Sequence, residues 1–515
     1  MTFPSGFQVS ALWPHLVALY CVTLLPLAAG LPPIIAIIES VYVMTGREIW
    51  KQTARFWSRH FGVVLLMWAI GSFLLTILYV VDSGRFTRHI HGMPGPFLIL
   101  LFMPFVLAFG LLLWNGFRDW WNPRRVRHLL VTWLWVPLFG FAVLKVAIGF
   151  GLLDNPAGVD FDAGSLQAWI YDVPAVLLNP AAQSRFVHLA GACYLTAAVF
   201  VLSISAWYLL RTRNVQVAHR SLTVAASFGL AAALSLAVLG DHRGYAESSG
   251  QQMRIAAIAA EWHTQSAPAA FTVFGLPDGG SRTTHAAVDL PWALGLGATH
   301  SWRKAVPGLD DLEAVNAARI HDGVAAFTVM DTPWANPDGA YDLAFDLEDT
   351  PNLGYGLLLL RHTSQPAHAN EALIAAAAQD TVPDVRLLFW TFRGMALLGL
   401  YAIVLFGCAF WLASNRKLDR RWFLRMAAWS LPVPWIAGAL GWIVSEAGRG
   451  PWVIDGVLPV TQTHASRPDL IIGAVACAGI AVLFAAGATL LVRLVRLGPE
   501  GLKFWPVDSG QAGKY

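Results

Sequence analysis

Charge is the scarcest commodity in this sequence. Asp, Glu, Lys and Arg make up 13% of its 515 residues, about half the ~25% of an ordinary soluble chain. That deficit excludes a disordered tail or a coiled coil. The 35 Lys and Arg stand against 32 Asp and Glu, a net charge of +3, too little for a polyanion-binding surface, so nucleic acid is excluded as a partner. Cysteine is scarce too. Cys21, Cys193, Cys408 and Cys477 each lie within an apolar run, and no disulfide framework is expected. Phosphate-cradling glycine loops, paired-cysteine zinc spacings and nucleophile elbows are all missing. There is no internal repeat, which disfavours an inverted-repeat transporter. The first nine residues hold no Lys or Arg, so no cleaved signal peptide is expected.

What is abundant is apolar and aromatic: 56% hydrophobic residues, 23 Trp and 29 Phe. A helix needs about 20 apolar residues to cross a bilayer, and nine runs qualify. They are approximately Phe7–Ile38, Phe61–Val81, Phe97–Phe117, Leu129–Leu153, Val187–Leu210, Ser221–Gly240, Leu387–Ala413, Met426–Val444 and Leu470–Val492. The first carries Pro14, Pro26, Pro32 and Pro33 and is read as one kinked or tilted helix. Lys and Arg alternate across the connections, twenty on one side (among them Arg47, Arg124, Arg211, Lys417 and Arg493) against five on the other (Arg85, Arg88, Arg185, Arg449 and Arg467). Short cytoplasmic loops are the basic ones, which puts the N-terminus outside and the C-terminus in the cytoplasm. The expectation is an all-α integral membrane protein: helices one to six in 1–240, a large external loop in 241–386, and helices seven to nine with a cytoplasmic tail in 387–515. Within the loop, the acids Asp310, Asp311 and Glu313 and the run from Asp338 to Asp349 read as a solvated face. Leu353–Arg361 and Ala267–Phe274 read as docking segments.

Ionisable groups inside spans are costly and therefore candidates for function. His188, Lys145, Arg393 and Glu446 stand out. A neutral imidazole at His188 suits haem iron as well as it suits a backbone hydrogen bond. Met395 is packing or a ligand, and Arg393 is a possible bidentate partner for a haem propionate. Glu446 reads either as an interfacial carboxylate paired with Arg449 or as a functional acid.

Several strings together resemble subunit I of cytochrome bd-type quinol oxidases. They are Trp442-Ile443-Val444-Ser445-Glu446-Ala447-Gly448-Arg449-Gly450-Pro451-Trp452, Phe186-Val187-His188 continuing to Ile204-Ser205-Ala206-Trp207-Tyr208, and Ala260-Glu261-Trp262 continuing to Phe271. Glu39-Ser40-Val41-Tyr42-Val43 and Leu353-Gly354-Tyr355-Gly356 add to them. The resemblance implies a multi-pass protein of the bacterial cytoplasmic (inner) membrane that oxidises quinol outside and reduces dioxygen to water. It implies a low-spin b haem on His188 and Met395 with Arg393 beside it. A high-spin b haem and haem d, or a second high-spin haem, would lie near the catalytic pair Glu446 and Arg449. Arg254 falls where the family has a quinol-loop lysine, with Glu261 close by. The implied partners are a subunit II and a small single-helix subunit.

There are departures from the family pattern. Cys21 stands at the family's first-helix histidine, where it is either a thiolate ligand of the high-spin haem or a small apolar filler. His15, six residues earlier and about 240° around the helix, cannot replace it. The third span, Leu98 to Gly110, holds no acid where the family has two glutamates; Ala259 replaces a loop glutamate, and an asparagine is missing near Phe150. The alternative reading is thus a divergent paralogue that keeps the low-spin haem for electron transfer without reducing oxygen.

Overall fold

The computed structural model describes residues 19–86 apart from 21, residue 110, and residues 125–162, 167–248, 251–299, 301–331, 352–462 and 467–499. Long helices dominate them: α1 (Leu25–Thr45), α2 (Glu48–Phe86), α3 (Arg125–Asp154), α4 (Pro180–Leu210) and α5 (Val215–Ser248), then α10 (Val385–Ser414), α11 (Arg421–Trp429), α12 (Val433–Ala447) and α13 (Arg467–Leu497). Between α5 and α10 lie α6 (Gln252–Ala259), α7 (Ala293–Thr299), α8 (Leu309–Asp331) and α9 (Glu371–Gln379). Three antiparallel hairpins sit outside the long helices: β1 (Val159–Asp162) with β2 (Gln167–Ile170), β3 (Phe271–Asp278) with β4 (Thr283–Leu290), and β5 (Trp452–Ile454) with β6 (Leu458–Pro459).

Among the described residues seven helical stretches are long and apolar enough to cross a membrane. Each corresponds to one of the nine runs read from the sequence. The run Phe61–Val81 falls within α2, while Phe97–Phe117 lies outside the described residues apart from Gly110. The run Met426–Val444 is not continuous: α11 ends at Trp429 and α12 starts at Val433. Pro432 and Pro434 explain the break, because neither supplies an N–H to the helix ladder.

Local signals fix the ends. Pro180 opens α4 behind Asn179, whose side chain accepts the Ala181 N–H at 2.9 Å, and Asp384 caps α10 through the Leu387 N–H at 3.0 Å. At the other end of α1, Gly46 takes φ 66° and returns its N–H to the Tyr42 carbonyl at 2.8 Å, a left-handed cap that glycine adopts without strain.

The core of the bundle draws on α1 to α5 together with α10, α11 and α13. Gly30 allows α1 and α4 to touch, since a Cβ there would stand 2.1 Å from the Cys193 carbonyl oxygen and 2.6 Å from the Ala197 Cβ. Small residues at such crossings let dispersion contacts form where lipid gives no hydrophobic drive. Phe61, Trp135 and Phe139 pack beside them with ring centroids 5.0 and 5.6 Å from Phe61.

The segment after α5 folds as a cap on one end of the bundle. Ala256, Ala257, Trp262 and Leu309 bury against Leu388 and Phe389 of α10. Leu358 and Leu359 pack with Ile320, Ile374 and Trp452, as expected for the docking segment Leu353–Arg361.

Candidate functional site

Where the cap meets the bundle, charge is concentrated and buried. Asp154 ends α3. Arg185 of α4 pairs with its Oδ2 and also donates to Ser445 Oγ at 3.0 Å. Arg254 of α6 approaches Asp154 Oδ1 at 3.5 Å and Arg449 approaches the same oxygen at 3.4 Å. Arg449 also donates to Glu446 Oε2 at 2.5 Å, so the expected Glu446–Arg449 pairing is present. Glu446 Oε1 is buried and has no hydrogen-bond partner among the described residues. An uncompensated buried carboxylate oxygen is costly, so this atom is set up to receive a cation or a donor.

Arg254 is 1% exposed. The sequence places it in an external loop, yet the structure packs it under the cap against the backbone of Gly448, where a Cβ would come within 2.6 Å of its Cγ. Asp455 completes the cluster. Burial pushes its carboxyl up to about 7, with Arg254 and Arg449 pulling the other way and Asp154 adding to the rise. Neither Asp154 nor Asp455 stands out in the sequence: an acid at a span's end reads as interfacial, and only the convergence of remote segments reveals these two.

His188 lies in the third turn of α4, half-buried, facing Gly240 of α5: a Cβ at Gly240 would stand 3.9 Å from its Cε1. Met395 of α10 points its sulfur at Gly441 of α12, where a Cβ would be 3.0 Å away. Arg393, two residues before Met395, is not the free guanidinium that the sequence suggests. Its Nε donates to the Val273 carbonyl at 2.9 Å, and Nη1 donates to Ile258 and Phe389 at 2.9 and 2.8 Å; Nη2 donates to Thr272. Its plane lies 3.2 Å from the Phe389 ring centroid. Four of its five N–H donors are committed to these carbonyls.

In the cap, Glu261 is 8% exposed and accepts from Gln265 Nε2 at 2.8 Å. Burial raises its carboxyl to about 7; the Gln265 bond lowers it and nearby Asp289 raises it further. The acids of α8 are not the free solvated face expected. Asp310 and Glu313 share Arg282, and Asp311 accepts from Thr264. The run Asp338 to Asp349, Cys21, His15 and all but the last residue of the acid-free stretch lie outside the described residues.

At the opposite end of the bundle is a buried trio the sequence only hinted at. Glu39 of α1 meets His128 Nδ1 at 2.5 Å and accepts from Thr132 Oγ1 at 2.7 Å. Lys145, in mid-span, has its ammonium 6.0 Å from the Phe141 ring centroid. Among the described residues no three His, Cys, Asp or Glu side chains converge on one point.

Fold and site together define a class: a polytopic helical protein, capped at one end, that carries imidazole, thioether and carboxylate donors singly rather than as a cluster. A model of the cytochrome bd terminal oxidase subunit I family matches residues 13–499. The chain belongs to that family. It is 34% identical over 495 residues to cytochrome bd-II ubiquinol oxidase subunit 1 of Escherichia coli (strain K12), covering 95% of this chain and 96% of that one. It is 23% identical over 489 residues to cytochrome bd ubiquinol oxidase subunit 1 of Bacillus subtilis (strain 168), covering 92% and 90%. The fold is also that of the solved bd oxidase from Geobacillus thermodenitrificans, with a TM-score of 0.73 at 19% identity over 96% of this chain and 100% of that one.

Proposed function

We propose that this chain is the haem-bearing subunit I of a copper-free quinol:oxygen oxidoreductase of the bacterial cytoplasmic membrane. It spans that membrane nine times, with its N-terminus and its cap outside, and works with a second large subunit and a small single-helix one. The observation that carries the reading is Glu446: one oxygen is clamped by Arg449 while the other is buried and has no partner among the described residues.

The residues fit haem. Single donors suit an iron whose remaining ligands come from a macrocycle, and His188 and Met395 are a standard imidazole–thioether pair. In this reading they hold the low-spin b haem, Glu446 serves the high-spin b haem, and the third group is haem d or a second high-spin haem. When bound, haem supplies the electron transfer and the oxygen chemistry. The chain's own residues do the rest. Arg254, buried on α6, supplies positive charge from beneath the quinol side rather than a surface contact. Glu261, poised near neutrality, takes a quinol hydroxyl proton on its carboxylate and hands it to outside water. Arg449 orients Glu446 through the 2.5 Å bond to its Oε2. Arg393 acts through the cap, fixing β3 and α6 over α10.

The test is a reduced-minus-oxidised absorption spectrum of the purified complex with and without carbon monoxide. A carbon-monoxide shift in part of the spectrum, and loss of the low-spin band in His188→Ala, are the expected results. A native low-spin band in His188→Ala removes the ligand assignment. A spectrum insensitive to carbon monoxide leaves the electron-transfer paralogue, the reading that Cys21 and the acid-free third span favour.

A further inference from the structure

Asp154 has a job that neither quinol nor haem explains alone. Its side chain is 5% exposed, and segments from α4, α6 and the end of α12 each bring a guanidinium to it. These arginines are themselves buried, at 4%, 1% and 5% exposure for Arg185, Arg254 and Arg449. The cap is stitched to the same point through its backbone: Gln251 Nε2 donates to the Asp154 carbonyl at 3.4 Å and the Asp455 N–H to Leu153 at 2.9 Å.

Three guanidiniums share this buried cluster with three carboxylates, and Asp154 is the one carboxylate that all three approach. Like charges repel strongly where water is excluded, so the position of Asp154 decides where each arginine can rest. Arg254 is held on its other side by the Gly448 backbone. Arg449 is held by Glu446. Asp154 Oδ1 is the atom that Arg254 and Arg449 share.

We propose that Asp154 is a positioning residue that couples the quinol side of the site, through Arg254, to the haem side, through Arg449 and Glu446. The proposal rests on the functional reading above. A charge change at either end moves an arginine that the other end also depends on.

The experiment uses the purified complex carrying Asp154→Asn, with a short-chain ubiquinol as substrate. The expected result is a joint effect: the quinol KM rises about tenfold with a smaller change in kcat, and the carbon-monoxide difference spectrum shifts, while the low-spin band stays native. Arg254→Gln moves chiefly KM, with a smaller shift of the carbon-monoxide spectrum, and Glu446→Gln moves chiefly that spectrum, with a smaller rise in KM. A D154N enzyme that changes only one of the two readouts, or neither, overturns the coupling. If D154N does not assemble, Asp154→Glu keeps the charge and displaces the oxygens; both readouts then shift less, and two native readouts overturn the proposal. Should Arg254→Gln and Glu446→Gln both leave their readouts native, the functional reading fails, and the coupling with it.

Discussion

Arg393 directs four N–H donors at carbonyls of the cap and of its own helix, and no other side chain has that planar fork. Lysine at this position would leave the carbonyls of Thr272, Val273 and Ile258 short of donors. Arg393→Lys is expected to lower stability by about 2–4 kcal/mol and to speed proteolysis of the β3–β4 hairpin relative to the bundle helices. Glu261 has a pH signature. Its folded value of about 7 lies above that of a free glutamate because burial disfavours the charged form. The stability it lends is therefore complete below the unfolded value and fades as pH rises through about 7. Its action as a base has the opposite sense: quinol oxidation should climb with pH through about 7, and Glu261→Gln should lose that limb and run about 100-fold slower at pH 8. A pH–rate profile that keeps its shape in the variant would exclude Glu261 as the acceptor. At this scale His188, Met395 and Glu446 are singled out by the family resemblance rather than by chemistry alone, since a methionine in an apolar run is ordinarily packing. Asp154 is not legible in the sequence, since its partners are 31, 100 and 295 residues away.

Helices fared better than hairpins. Long apolar runs announce a span by length alone, and capping residues such as Asn179 and Asp384 mark where it starts. The β3–β4 hairpin was hidden because Ala267–Phe274 shows no alternating pattern, and its two register irregularities break the period. The split between α11 and α12 was readable from Pro432 and Pro434, yet apolar residues on both sides disguise it as one span. It is tied laterally: Ser203 Oγ of α4 donates to the Ala427 carbonyl at 2.7 Å, and Tyr401 of α10 shares a 2.7 Å hydrogen bond with Ser430. The crossing of α1 and α4 gives the element-level prediction. Gly30→Ala puts a methyl where a backbone carbonyl already stands, and neither helix can yield cheaply. A loss of about 1–3 kcal/mol is expected, read as a lower unfolding midpoint of the detergent-solubilised complex; an unchanged midpoint would mean the two helices slide apart without cost.

Over the whole molecule the twenty-to-five split of positive charge remains the handle on orientation, and it can be checked directly. Lys304, in the cap, and Lys417, between α10 and α11, are both exposed. A membrane-impermeant maleimide should label Lys304→Cys in intact spheroplasts and label Lys417→Cys only after permeabilisation; the reverse pattern would invert the topology. The central crossing also bears on how the molecule is made. Of the seven candidate spans among the described residues, those of α1 and α4 are the most enclosed and that of α13 is the least covered. Gly30 and Cys193 leave the ribosome in the first half of synthesis, whereas Phe406, Phe423 and Ala427, buried in the same core as Cys193, arrive afterwards. The nascent chain therefore cannot close its interior until α10 and α11 exist, so the first-made helices wait on the last third of the sequence for part of their packing.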